Sequence, residues 1–196
     1  GSGRTRATYF QATPLAVNGR LYYCTPFQRV FALDPETGAE LWQFDPAVKT
    51  LTGEGPYPLN CRGVTYWEDS AAPAGAFCAR RIFYGTSDSE LLALDADTGR
   101  PCGDFGTDGR VDLRRDLDEP RAWAVHPTSP PLVMRDRVVI NGFVADNLEV
   151  DAAPGMVRAF DARTGALAWA WNPVPPGWQP RPSARNSPWQ AGAPNS

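Results

Sequence analysis

Short β-rich runs of large apolar side chains alternating with other residues follow one another along the chain, each closed by Gly, Pro, Asn or Asp. Leu21–Cys24, Val30–Leu33 and Glu40–Phe44 form one group of runs, and Arg81–Thr86 with Leu91–Leu94 a second. Arg137–Gly142, Met156–Phe160 and Leu167–Trp171 form a third. A further run precedes each group, at Ala12–Val17, Arg62–Trp67 and Pro131–Met134. Alternation, β-branched and aromatic residues, and turn formers at both ends predict strands. No long stretch carries the period of an amphipathic helix.

The groups are copies of one unit. Ala32-Leu33-Asp34-Pro35-Glu36-Thr37-Gly38, Ala93-Leu94-Asp95-Ala96-Asp97-Thr98-Gly99 and Ala159-Phe160-Asp161-Ala162-Arg163-Thr164-Gly165 align without gaps, their glycines 61 and 66 residues apart. Asp and Thr side chains bond to nearby backbone in a tight turn, and Gly accepts the positive φ such a turn often requires. Each motif is therefore the turn of a hairpin. Trp42 and Trp169 follow four residues after the first and third glycines, whereas the second copy has Gly103 there, beside Cys102. Up to four short strands per repeat, with turns at Asn18-Gly19 and Arg135-Asp136, are the make-up of a β-propeller blade. The expected fold is all-β: blades over residues 1–50, 51–110 and 111–175, then the start of an inter-blade segment over 176–196. Propellers typically close with about four to eight blades, so three are expected to belong to a larger ring.

Composition narrows the function classes. Nineteen Lys and Arg against 22 Asp and Glu, with no basic cluster, lack the footprint of a nucleic-acid binder. No apolar run approaches a membrane span, and Gly1-Ser2-Gly3 does not read as a signal peptide. Cys24, Cys61, Cys78 and Cys102 form no Cys-x-x-Cys pair and the chain has one histidine, which argues against zinc. Four cysteines permit two disulfides in any of three pairings, or four buried thiols. His126, before Pro127, reads as a loop residue without a role.

The Asp-x-x-Thr-Gly-x-x-x-Trp turn resembles the tryptophan-docking motif of the pyrroloquinoline quinone (PQQ) dependent dehydrogenases, which are eight-bladed propellers. Non-enzymatic assembly propellers carry similar repeats, and a scaffold is the alternative reading. Thr13-Pro14-Leu15, Leu21-Tyr22-Tyr23-Cys24-Thr25-Pro26, Val30-Phe31-Ala32-Leu33-Asp34, Asn60-Cys61-Arg62-Gly63-Val64, Cys78-Ala79-Arg80-Arg81-Ile82, Pro127-Thr128-Ser129-Pro130-Pro131 and Ala145-Asp146-Asn147 occur in this order. Together they resemble the membrane-bound glucose/quinate/polyol branch of that family, over about Thr13 to Pro173, with all four cysteines at places where the branch has Cys.

The resemblance implies roles at individual positions. Arg62 matches the arginine that contacts a carboxylate or carbonyl of PQQ. From spacing alone it reads as a surface or inter-blade salt-bridge residue. Asp146 and Asn147 match residues implicated in holding a Ca²⁺ or Mg²⁺ ion beside the cofactor, where the bland reading is turn chemistry. Relatives often have His four residues before the arginine, where this chain has Pro58, which leaves the substrate preference open. The general-base Asp is expected outside this chain, and no catalytic residue is assigned within it. The implied activity is oxidation of an aldose or other polyhydroxy alcohol, glucose-type first, with electrons passed to ubiquinone. The implied location is the periplasmic side of the bacterial inner membrane, anchored through a region not in this chain.

Overall fold

The computed structural model describes residues 7–49, 58–115, 117, 124–144 and 153–174. These form three four-stranded antiparallel sheets, and among them there is no α-helix and so none able to cross a membrane. The first sheet runs in chain order through β1 (Leu15–Val17), β2 (Arg20–Cys24), β3 (Val30–Leu33) and β4 (Glu40–Phe44). The second takes β5 (Thr65–Glu68), β6 (Arg80–Gly85), β7 (Glu90–Asp95) and β8 (Arg110–Asp112). A two-residue ladder, β9 (Val125–His126) with β12 (Phe143–Val144), accompanies the third sheet of β10 (Leu132–Met134), β11 (Arg137–Asn141), β13 (Val157–Asp161) and β14 (Leu167–Trp171).

The first strands are shorter than the alternation predicts. β1 begins at Leu15 and β5 at Thr65, because the residues before them bond to each other: the Thr13 N–H donates to the Arg62 carbonyl at 2.9 Å. The ladder of β9 and β12 and the late strand β8 escape sequence reading because two or three residues show no period. His126, expected in a loop, is buried in β9 opposite Phe143.

Each Asp-x-x-Thr-Gly turn is organised by its aspartate. Asp34 Oδ1 accepts the N–H groups of Glu36 and Thr37 at 3.0 and 2.8 Å and the Thr37 hydroxyl at 2.9 Å. Asp95 and Asp161 repeat the set with Asp97, Thr98, Arg163 and Thr164. The bonds from Thr37, backbone first and hydroxyl second, hold the Asp34 carboxyl below its usual range. At Asp161 partial burial opposes the shift, and the bonds from Thr164 and Arg163 outweigh it.

The turn of one sheet receives the outer strand of the sheet before it. Trp42 is buried and donates its indole N–H to the Ala96 carbonyl at 3.0 Å. Its ring lies over Gly99, where a Cβ would meet it at 2.5 Å; no other residue fits beneath. Arg20 and Tyr22 donate to the same carbonyl, and Arg20 also pairs with Asp97 at 2.7 Å. Between the second and third sheets, where the motif has Gly103 in place of tryptophan, other groups close the joint. The Gly106 N–H donates to the Thr164 carbonyl at 2.9 Å, and Arg81 donates to the carbonyls of Ala162 and Arg163. Arg163 pairs with Asp69 at 2.6 Å and lies over Trp67. Trp169 occupies the place of Trp42 in the third sheet and is 44% exposed.

Burial follows these contacts. Ile82, Tyr84, Leu92 and Leu94 face the first sheet, joining Tyr22, Val30 and Trp42 in one core. Phe83, Leu91 and Ala93 point the other way, toward Val138, Ile140 and Phe160. The middle sheet is covered on both faces, so burial is continuous along β6 and β7, whereas it alternates along β3 and the end of β2.

Candidate functional site

Three segments lead into the first strands: residues 7–14, 58–64 and 124–131. The second carries Arg62 and is tied down at four consecutive residues. Leu59 bonds through its backbone to Ala7 and Tyr9 at 2.8 and 2.9 Å. The Asn60 carbonyl accepts the Gln28 side-chain amide at 2.8 Å. Cys61 is joined to Cys24 at the end of β2, and the Arg62 carbonyl accepts the Thr13 N–H. A second disulfide joins Cys78 to Cys102 within the second sheet, so no thiol is free. The pairing left open by the cysteine spacing is decided by Cα separations of 5.9 and 5.8 Å across these contacts.

The Arg62 backbone is held while its side chain is exposed. Its Nη1 lies 3.5 Å from the Thr128 hydroxyl on the third segment. Among the described residues no carboxylate pairs with it; the ion pairs that cross between sheets are made by Arg20 and Arg163 instead. Most of its donors therefore face outward at the joint of two segments. Pro58, four residues earlier, is half-buried.

The third segment packs closely. A Cβ on Gly85 would meet Pro127 Cγ at 2.1 Å, so glycine is required there for the segment to lie against the second sheet. Ser89 donates to the Val125 carbonyl, Thr65 to the Pro131 carbonyl, and the His126 ring lies 5.3 Å from Phe143. His126 is thus a buried wall two residues before Thr128, a place no local signal marks. Asp146 and Asn147 lie outside the described residues; the chain reaches them from Val144, which pairs with Val125.

Among the described residues the one group with metal-type donors is Cys78, Cys102 and Asp104, and its sulfurs are spent on the disulfide. A cavity of about 430 Å³ lies elsewhere, between the second and third sheets, walled by Val111, Arg115, Met156, Phe160 and Leu167. It shares no residue with the Arg62 segment.

Residues 2–196 match the family described as "PQQ: Glucose/ethanol/alcohol dehydrogenase, beta-propeller domain", and the chain belongs to that family. The quinoprotein glucose dehydrogenase of Escherichia coli (strain K12) is 38% identical over 167 residues, covering 83% of this chain and 21% of the relative. The glycerol dehydrogenase large subunit of Gluconobacter oxydans (strain 621H) is 36% identical over 194 residues, covering 99% and 26%. Among solved structures, quinohemoprotein alcohol dehydrogenase from Comamonas testosteroni superposes with a TM-score of 0.68 at 27% identity, over 87% of this chain and 22% of that one. These relatives agree with the glucose/quinate/polyol branch and with a β-propeller. The chain spans about a fifth to a quarter of the length of the curated relatives it matches.

Proposed function

We propose that this chain is part of a PQQ-dependent dehydrogenase that oxidises an aldose or other polyhydroxy alcohol and passes the electrons to ubiquinone. The observation that carries the reading is Arg62, an exposed guanidinium with no acidic partner among the described residues, on a backbone fixed at four consecutive residues. PQQ is a planar tricarboxylate, and a guanidinium offers a rigid fork of donors that matches carboxylate oxygens. The donor chemistry therefore fits the group, with the Thr128 hydroxyl alongside.

When bound, PQQ supplies the two-electron acceptor of the reaction. The part of this chain is to bind and orient. Arg62 holds a carboxylate or carbonyl oxygen of the cofactor, and the fixed backbone limits the freedom lost on binding. Val125, His126 and Pro127, the residues just before Thr128, are buried. Asp146 and Asn147 supply oxygen ligands for Ca²⁺ or Mg²⁺ in this reading. The general base that takes the substrate hydroxyl proton is placed outside this chain. Two disulfides suit an oxidising compartment, which supports the periplasmic side of the inner membrane, with attachment through a region outside this chain. The names of the relatives support glucose-type and polyol substrates; Pro58, where relatives often have His, is the place where preference is expected to differ.

The test is the complete protein reconstituted with PQQ and Ca²⁺ or Mg²⁺, assayed with a dye acceptor on aldoses, polyols and quinate, with Arg62→Ala alongside. Turnover that requires both additions, with PQQ binding weakened in the variant, supports the reading. Absence of both turnover and PQQ binding refutes the enzyme and leaves a scaffold propeller.

A further inference from the structure

The turn between β2 and β3 contains a residue whose backbone and side chain ask for different amino acids. The Thr25 N–H donates to the Arg29 carbonyl at 2.9 Å and the Gln28 N–H to the Thr25 carbonyl at 2.8 Å, which puts Gln28 at φ +68°. That region favours glycine. Gln28 is nevertheless 1% exposed, a polar side chain in a place where it must find partners. Its Nε2 donates to the Asn60 carbonyl at 2.8 Å and, more weakly, to Pro26 at 3.3 Å.

The next repeat builds the same device from another residue. The Thr86 N–H donates to the Glu90 carbonyl at 2.9 Å and the Ser89 N–H to the Thr86 carbonyl at 3.1 Å, with Ser89 at φ +63° and fully buried. Its hydroxyl donates to the Val125 carbonyl. In both repeats a left-handed polar residue reaches out of its own sheet to the segment entering the next one. The carbonyl it holds lies two residues before Arg62 in one case and three before Thr128 in the other.

We propose that Gln28 is a positioning residue for Arg62. The inference rests on the reading that Arg62 binds the cofactor. The Cys24–Cys61 bond limits how far Cys61 can move from β2 but leaves its flanking peptides free to rotate. The Gln28 amide sets the plane of the Asn60–Cys61 peptide, and the Thr13 N–H sets that of the Arg62–Gly63 peptide. Together they fix both translation and rotation of the residue whose guanidinium must meet a planar ligand. A buried amide is suited to this work because its bond is directional and not exchanged with water.

The experiment uses the complete protein as apoenzyme and reads the Kd for PQQ by equilibrium dialysis, at fixed Ca²⁺. Gln28→Gly relieves the backbone and removes the clamp; Gln28→Glu keeps the shape but replaces the amide donor. Both should raise the Kd about five- to tenfold, the size of one lost buried hydrogen bond. In an Arg62→Ala background the same changes should add less than about twofold, because the clamp acts only through that residue. Amide exchange should quicken across residues 59–62 and stay unchanged in β2 and β3. Equal effects in both backgrounds, or no effect in either, would overturn the inference, as would failure of both Gln28 variants to fold. If Arg62→Ala alone leaves the Kd unchanged, the reading of the cofactor site fails first, and Gln28 has nothing to position.

Discussion

Substituting alanine for two glycines of the same motif isolates the energy of docking one sheet on the next. Gly38 and Gly99 share the Asp-x-x-Thr-Gly turn and the same φ of +72°. A Cβ on Gly38 meets nothing within 4 Å, so Gly38→Ala should cost only the left-handed backbone penalty, about 1–2 kcal/mol. A Cβ on Gly99 falls 2.5 Å from Trp42 Cε3 and 2.7 Å from Cδ2. The indole must then move, although it is buried and bonded to the Ala96 carbonyl. Overpacking costs about 1–3 kcal/mol and the lost hydrogen bond about 1 kcal/mol. Gly99→Ala should thus exceed Gly38→Ala by about 2–4 kcal/mol. Urea midpoints of the complete protein, followed by tryptophan emission, would measure the difference. In a Trp42→Ala background the excess should vanish, since nothing remains for the Cβ to strike. Equal losses for the two glycines in the native background would refute the account of the joint.

Other expectations follow from the same contacts. Alkylation and peptide mapping before and after reduction should find Cys24 linked to Cys61 and Cys78 to Cys102; removing the first, which spans 37 residues, should cost about 4 kcal/mol in a denaturation series. Asp34, Asp69 and Asp161 hold their protons less tightly in the folded chain: Asp69 through the bond from Arg163, the others through their turns. Their contribution is complete above the unfolded carboxylate value near pH 4 and is lost as pH falls through the lower folded values. Urea midpoints should therefore be level near neutrality and fall below about pH 4, with a shallower fall in Asp69→Asn. Arg163→Lys keeps the charge but loses the fork shared by Asp69 and Asp136, and should cost about 1 kcal/mol in the same assay.

The repeat, the turn chemistry and the strand alternation were legible along the chain because each depends on residues close in sequence. Asp34, Thr37 and Gly38 specify their turn within five residues, and the same letters recur at Asp95 and Asp161. The family's ordered motifs marked Arg62, but nothing in its neighbourhood said that its carbonyl would be held by Thr13 or that its side chain would lie beside Thr128. Gln28 gave no signal at all. A glutamine in a Pro-Phe-Gln-Arg loop looks like any solvated turn residue until the Asn60 carbonyl is brought to it.

Sequence alone determined the kind of unit, its number of copies in this chain and the family it belongs to, because hairpin turns and strand periods are local physics. Tertiary structure decided the disulfide pairing, the use of Arg20, Arg81 and Arg163 as struts between sheets, and the exposure of Arg62. It also placed Trp42 in the turn of the next repeat, over Gly99; Trp169, its counterpart in the third sheet, meets no such turn among the described residues. Burial, partner and role at such positions are set by which surface a side chain meets across 50 or more residues of sequence, as between Trp42 and Ala96, 54 residues apart. No local pattern encodes that meeting; only the stacking of one sheet on the next does.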